Sequence, residues 1–350
     1  MRHWLRSVVI VLAACTAGGL AVAAPAAAAP GAGCHEYEIP VSVAPGLPAD
    51  QHIAGELCLP DGPVPSVLQI LVPGATYNRT YWDFPISQYS YVDAATARGY
   101  AVFAMDRLNT GASSTLPPAA VTVELDAATL HQVVTALRSG ADTGTPFRNV
   151  VTVGHSLGSI ITIDEAASYH DVDGLIVTGF SHYVNPLFVT NTATARVVVP
   201  TQLVQGGSPY IQNRPLGDLT TPAGGRELNF YAPGTFEPEV LAADEATKDV
   251  ITASELATFP VPQSGVESNL ITAPVLLAIG RYDFPFLCGT QHCTGAAMVE
   301  QFERVRFAAA PEFDAFVVPN AGHDINLART APLFFTEADN WITRRFGTAA

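Results

Sequence analysis

A β-rich apolar run, Asn149 to Val153, leads straight into Gly154-His155-Ser156-Leu157-Gly158, and Leu157 to Tyr169 follows with helical content and no proline. A serine with glycine two places before it and two places after it, between a strand and a helix, marks a very sharp turn. Side chains at either flanking position would collide with neighbouring backbone, so both favour glycine. The residue at the apex is held in a strained conformation with its hydroxyl raised above the sheet edge. Ser156 is therefore a candidate nucleophile, and the chain around it must supply a strand, a turn and a helix in that order.

The flanking sequence repeats this rhythm. Glu36–Val43 and His52–Leu59 read as two leading antiparallel strands around the Pro/Gly turn at 45–48, and Ser66–Val72 as a buried strand ending at Pro73-Gly74. A helix over Tyr91–Arg98, a strand over Tyr100–Met105 and a helix over Glu124–Ser139 come next, the last with Leu125, Ala128, Val133 and Leu137 at helical spacing. After the serine unit, Gly174–Thr178, Ala273–Ile279 and Ala315–Val318 are strand-like. Ala296–Phe307 and Thr336–Phe346 are helical. Strands alternating with helices predict an α/β fold with a mostly parallel sheet covered on both faces. Residues 186–270 break the pattern, being rich in Thr, Pro, Gly and acids, with a hint of strand at Val197–Val204 and a helix over Pro238–Leu256. So long a stretch between core strands is expected to be an inserted cap rather than a structureless loop.

The first 29 residues have the features of an export signal: Arg2, His3 and Arg6, an apolar stretch, then small residues with several A-x-A cleavage options. Leu12-Ala13-Ala14-Cys15 is also compatible with a lipoprotein signal, in which Cys15 would carry a lipid. Plain secretion is the expectation, because the apolar character continues past Cys15. The remaining domain, 34–350, is long enough for one full α/β core. The leader holds two of the 17 Lys+Arg and none of the 32 Asp+Glu, so its removal takes the net charge from −15 to −17. Such a surface argues against nucleic acid as a partner, and nothing beyond the leader has the length for stable membrane insertion. Four cysteines outlast the leader: Cys34, Cys58, Cys288 and Cys293. In an exported chain they suggest two disulfides, with Cys34–Cys58 and Cys288–Cys293 favoured among three pairings. Metal ligation is the weaker reading, with His292 the single neighbouring candidate.

A serine hydroxyl needs a base, and an imidazole needs a partner that holds its tautomer. Two downstream strands end in suitable residues. The strand closing at Ile279 runs into Gly280-Arg281-Tyr282-Asp283, and the last strand runs into Asn320-Ala321-Gly322-His323-Asp324. Carboxyl ends of strands are where the active groups of open α/β sheets gather, so Asp283 and His323 are the expected acid and base. Asp324 is the less suitable acid because neighbours on a loop point apart, and Asp314 is expected to precede its strand, at the wrong end of the sheet. His155 should pack beside the turn, and His182 is a minor alternative base. The developing oxyanion needs two backbone donors. The Leu157 amide, at a helix N-terminus, is one. Ala75 in Pro73-Gly74-Ala75-Thr76 is the other, with Thr76 second.

Taken together these residues resemble the α/β-hydrolases of the esterase, lipase and haloperoxidase-like branch, over about residues 64–346. Four anchors carry the likeness in order: Pro73-Gly74-Ala75, the loop Asp106–Ser113, the turn at Ser156, and the Asp283/His323 pair. The second anchor is similar to the family's D-x-R-G-x-G-x-S loop, although Arg107 stands one place early and the first glycine is missing, so its role is read as structural. Pro73 stands where relatives usually carry His.

The resemblance implies the α/β-hydrolase fold, a Ser-Asp-His triad and no cofactor. Serine at 156 excludes the branches that use a carboxylate there. The expected reaction is acyl transfer from a small-molecule or lipid ester, as in a carboxylesterase or lipase. A peptidase or lactonase of the same fold, or a catalytically silent binding protein, are the alternatives. Aromatic residues cluster near the expected rim: Tyr77, Tyr81, Trp82, Phe180, Tyr183, Phe284 and Phe286. Of these Tyr77, Trp82, Phe180, Tyr183 and Phe284, with Thr76, are the expected substrate-binding set. The Asn78-Arg79-Thr80 sequon is not expected to be glycosylated, since the leader is of bacterial type.

Overall fold

In the computed structural model, residues 33–183, 185, 190, 196–205, 207–259, 264–283, 287–288 and 293–347 are described. The leader 1–29 with Cys15, together with Phe284, Phe286 and His292, lies outside them. The two leading strands, β1 (Gly33–Val41) and β2 (Gln51–Leu59), pair antiparallel with Cys34 directly opposite Cys58, and these two cysteines are at disulfide distance. The second pair at disulfide distance is Cys288 and Cys293.

β2 in turn pairs antiparallel with β4 (Ala101–Met105), and from there the sheet is parallel. It continues through β3 (Val67–Val72), β5 (Asn149–His155), β6 (Gly174–Thr178), β10 (Val275–Gly280) and β11 (Phe313–Val318). The order of the eight strands is β1-β2-β4-β3-β5-β6-β10-β11. The central strands are buried on both faces, so helices must cover both. Helix α1 (Tyr91–Thr96) packs with α8 (Ala331–Phe346), and α2 (Val123–Ser139) packs with α3 (Leu157–Tyr169). Thr122 caps α2 by accepting from the Leu125 amide, and Gly140 closes it in the left-handed conformation. Helix α7 (Ala296–Glu303) packs on β11.

Between β6 and β10 the chain builds a second, three-stranded sheet of β7 (Val199–Pro200), β8 (Asp218–Thr220) and β9 (Ile251–Thr252). Its described residues also form the short helices α4 (Gly225–Phe230), α5 (Pro238–Thr247) and α6 (Ala253–Thr258). The single helix expected over 238–256 is therefore two helices, parted at Lys248–Thr252. Tertiary bonds win over helical propensity there. The buried Asp249 carboxylate accepts from the Gly111 amide at 2.8 Å and from Asn78 at 3.1 Å, while Ile251 and Thr252 pair with β8. Thr252 then starts α6 with a reciprocal capping box to Glu255.

Two smaller expectations also change. The last helix begins at Ala331 rather than Thr336, because Pro332 fits the first turn, where no backbone donor is needed. Asp314 lies within β11 rather than before it, and its carboxylate pairs with Arg345 at 2.7 Å.

Candidate active site

β5 ends at His155, α3 starts at Leu157, and Ser156 between them has φ 52° and ψ −115°. The reason for the two glycines is steric. A Cβ on Gly154 would lie 2.5 Å from the Gly158 carbonyl oxygen, and one on Gly158 would lie 2.2 Å from the Val72 carbonyl oxygen. Space for the turn thus exists only if both positions lack a side chain. The loop after β3 passes directly above, with Gly74 close enough that a Cβ would be 3.2 Å from Cβ of Ser156.

Asp283 follows β10 and His323 follows β11, two adjacent parallel strands. Nδ1 of His323 meets Oδ2 of Asp283 at 2.9 Å, both side chains buried. Burial lowers the pKa of His323, but the Asp283 carboxylate and its hydrogen bond outweigh that and leave it above the ordinary histidine value. The Asp283 carbonyl accepts from the amides of Leu287 at 3.1 Å and Cys288 at 2.8 Å, so the loop bearing the carboxylate is tied to the residue that bonds Cys293.

Ser156, Leu157, Ala75 and His323 face one cavity with a free volume of about 70 Å³. Thr76, Tyr77 and Phe180 of the expected substrate-binding set line it as well, and the rest of its wall is apolar. Ile160 comes from α3, while Val197, Val198, Phe230, Ile251, Leu256 and Phe259 come from the segment between β6 and β10. The sequence does not single out these last six for the pocket, because the segment carries no motif that points to them.

Trp82 does not line the cavity. It is fully buried, edge-on to Tyr81 at 5.1 Å and to Tyr91 at 5.5 Å, because the short 3₁₀ turn after Asn78 directs it into the core. Tyr183 is likewise absent from the lining, and its amide donates to Ser181 Oγ at 3.0 Å.

The other candidate histidines and the acid Asp324 are engaged elsewhere. His155 is buried, stacked on Tyr81 at 4.3 Å, and reaches Asp324 Oδ1 at 3.2 Å; burial, then the charge of His323, push its pKa well below normal. Asp324 turns away from its neighbour and accepts the Tyr77 hydroxyl at 2.5 Å. His182 contacts Glu303 through Nδ1 at 2.5 Å and Ser268 through Nε2 at 2.8 Å. The Asp106–Ser113 loop has the structural role expected. Asp106 accepts from the Arg79 and Ala112 amides, and Arg107 pairs with Glu255 and donates to the Gly74 carbonyl at 3.2 Å.

A buried basic residue escaped the sequence reading. Arg226, from α4, donates through Nη1 to Thr76 Oγ1 at 2.9 Å and through Nη2 to the Thr76 carbonyl at 3.2 Å, and it pairs with Asp244 at 3.1 Å. Burial lowers its pKa, but Asp244 and neighbouring acidic groups more than compensate, so it stays charged. An isolated Arg in an acidic stretch was the sole trace of it in the sequence.

Among the described residues no helix is long and apolar enough to cross a membrane. No curated protein matches the chain in sequence. Many solved structures match its fold. One is a thermophilic esterase from Thermogutta terrifontis, at TM-score 0.61 and 18% identity over 89% of this chain and 98% of that one. Another is an esterase from Exiguobacterium antarcticum, at TM-score 0.58 and 16% identity over 84% and 96%. A third is a monoacylglycerol lipase from Paleococcus ferrophilus, at TM-score 0.53 and 15% identity over 85% and 99%. At these identities the likeness concerns the fold. The profile of the alpha/beta hydrolase family, however, matches residues 69–336, and the chain belongs to that family.

Proposed function

We propose that this protein is an exported serine hydrolase that cleaves neutral carboxylic esters through an acyl-enzyme. The observation that carries the reading is the 2.9 Å contact of His323 with Asp283 beside an apolar cavity that Ser156 and His323 both face. In this reading the Ser156 hydroxyl attacks the ester carbonyl carbon while His323 takes its proton and Asp283 stabilises the imidazolium. The negative oxygen of the tetrahedral intermediate accepts from the Leu157 and Ala75 amides. Collapse of the intermediate breaks the carbon–oxygen bond, and His323 protonates the leaving alcohol. Water, deprotonated by His323, then attacks the acyl-Ser156 ester, and His323 returns the proton to the Ser156 oxygen as its bond to the acyl carbon breaks and the acid leaves.

The apolar wall supports a neutral substrate, because an unpaired charge placed there would lose its hydration without compensation. Residues 186–270 would form the cap that shapes this pocket on the domain 34–350. The leader at 1–29 and the two cysteine pairs at disulfide distance support export. Two measurements on the mature protein test the reading. Fluorophosphonate should label the wild type and not Ser156→Ala. That variant should keep the fold and lose ester turnover by about 10⁴-fold or more. Undiminished hydrolysis by Ser156→Ala would reject the assignment, and turnover of peptide anilides in preference to p-nitrophenyl esters would make it a peptidase.

A further inference from the structure

Thr76 has a left-handed backbone, φ 63°. For a β-branched residue that conformation is a genuine outlier, and it persists only where its surroundings enforce it. The enforcing contacts all come from the segment between β6 and β10. The Thr76 carbonyl accepts from Arg226 Nη2 at 3.2 Å and from the Asp249 amide at 2.8 Å, and its hydroxyl oxygen accepts from Arg226 Nη1 at 2.9 Å. The guanidinium lies over the Tyr77 ring at 4.1 Å from its centre. Arg226 is itself held, because Asp244 pairs with it while accepting the Tyr231 hydroxyl at 2.8 Å. On the other side of the same turn, Arg107 donates to the Gly74 carbonyl at 3.2 Å. Ala75, between the two clamped carbonyls, faces the cavity beside Ser156.

We propose that Arg226 is a positioning residue for ester cleavage: it holds Thr76 in the left-handed conformation and thereby aims the Ala75 amide at the oxyanion. The inference rests on the reading of Ser156 as nucleophile and Ala75 as donor. Its consequence is that the segment over the pocket is part of the oxyanion machinery and not merely a cover. Thr76 cannot relax while α4 is docked, and it loses its main restraint if α4 lifts. The chemistry requires arginine. A planar fork can meet a hydroxyl, a carbonyl and a carboxylate at once while stacking on a ring, whereas an ammonium cannot.

The test uses the mature full-length protein with p-nitrophenyl butyrate. Arg226→Met alone leaves the buried Asp244 without its cationic partner, so it is made together with Arg226→Met/Asp244→Asn, which removes both charges, and circular dichroism identifies the variants that fold. The double variant should lose about 10²-fold in kcat, with KM within about threefold of wild type, as for an oxyanion donor out of place. Arg226→Lys should recover only part of the loss. A folded double variant with kcat within about twofold of wild type, or with KM raised and kcat unchanged, overturns the proposal. Ser156→Ala in the same assay separates the two readings. If it remains active, the serine mechanism has failed. If it is inert while the double variant turns over at the wild-type rate, only the role of Arg226 has failed.

Discussion

The carboxylate that reaches His323 belongs to Asp283, forty residues upstream and on the neighbouring strand, and not to the adjacent Asp324. Peptide geometry explains the choice. Consecutive side chains on an extended loop diverge, whereas the ends of two parallel strands bring their following loops together. As the base proposed here, His323 must be neutral to accept a proton, and its pKa is raised. The acid limb of kcat/KM is therefore expected above pH 6.5, with activity lost as pH falls through it. Asp283→Asn should move that limb down and reduce kcat by about 10⁴-fold. A limb unmoved in the variant would show that some other group titrates.

The loops carrying Asp283 and His323 cross at van der Waals contact. A Cβ on Gly280 would stand 1.9 Å from the Gly322 carbonyl oxygen, backbone against backbone. Gly280→Ala must therefore part the two loops. We expect a stability loss of about 1–3 kcal/mol in denaturant melts and, under the proposed mechanism, a large fall in kcat in the folded fraction, because the His323–Asp283 contact opens. Wild-type kcat in the folded variant would contradict this.

The two cysteine pairs should separate by function. Cys34–Cys58 closes a 24-residue separation between β1 and β2, so its removal by Ser substitution should cost about 3.5 kcal/mol of stability and leave kcat of the folded enzyme unchanged. Cys288–Cys293 closes a separation of five, worth about 2 kcal/mol, but the Cys288 amide supports the Asp283 carbonyl. Its removal should lower kcat more than stability. Equal effects of the two removals on kcat would refute the distinction.

Stability should peak on the mildly acidic side of neutral. Burial raises Asp106 to about 6, and burial also raises Asp244 and Asp324. A group with a raised folded pKa contributes stability that is complete below its unfolded value and lost as pH rises through its folded value. His155 acts in the opposite sense, since burial lowers its pKa and stability is lost as pH falls below about 6.5. The melting temperature near pH 6 should exceed that at pH 8 by a few degrees, read by scanning calorimetry. A steady rise to pH 8 would show these carboxylates to be better solvated than their burial implies.

The cavity's free volume of about 70 Å³ is about half that of an apolar cavity that takes up benzene. Short acyl groups should therefore be favoured. Among p-nitrophenyl esters, kcat/KM for butyrate should exceed that for palmitate by about tenfold or more. The reverse order would show that the wall between β6 and β10 opens to admit a chain.

The parallel sheet, the turn at Ser156 and the strand ends that carry Asp283 and His323 could be read from the chain alone. Each rests on local information: a two- or four-residue periodicity, a pair of glycines where any Cβ would strike backbone, a polar residue just past an apolar run. The elements that tertiary structure decided are those whose partners lie far away in sequence. Asp249 breaks a helix because Gly111 and Asn78 meet it, Trp82 turns into the core against Tyr91, and Arg226 reaches 150 residues back to Thr76. For Asp249 and Arg226 the energy of such contacts comes from satisfying buried charge and buried donors, and for Trp82 from ring packing. That depends on what folding brings together, and no local pattern in the sequence encodes it.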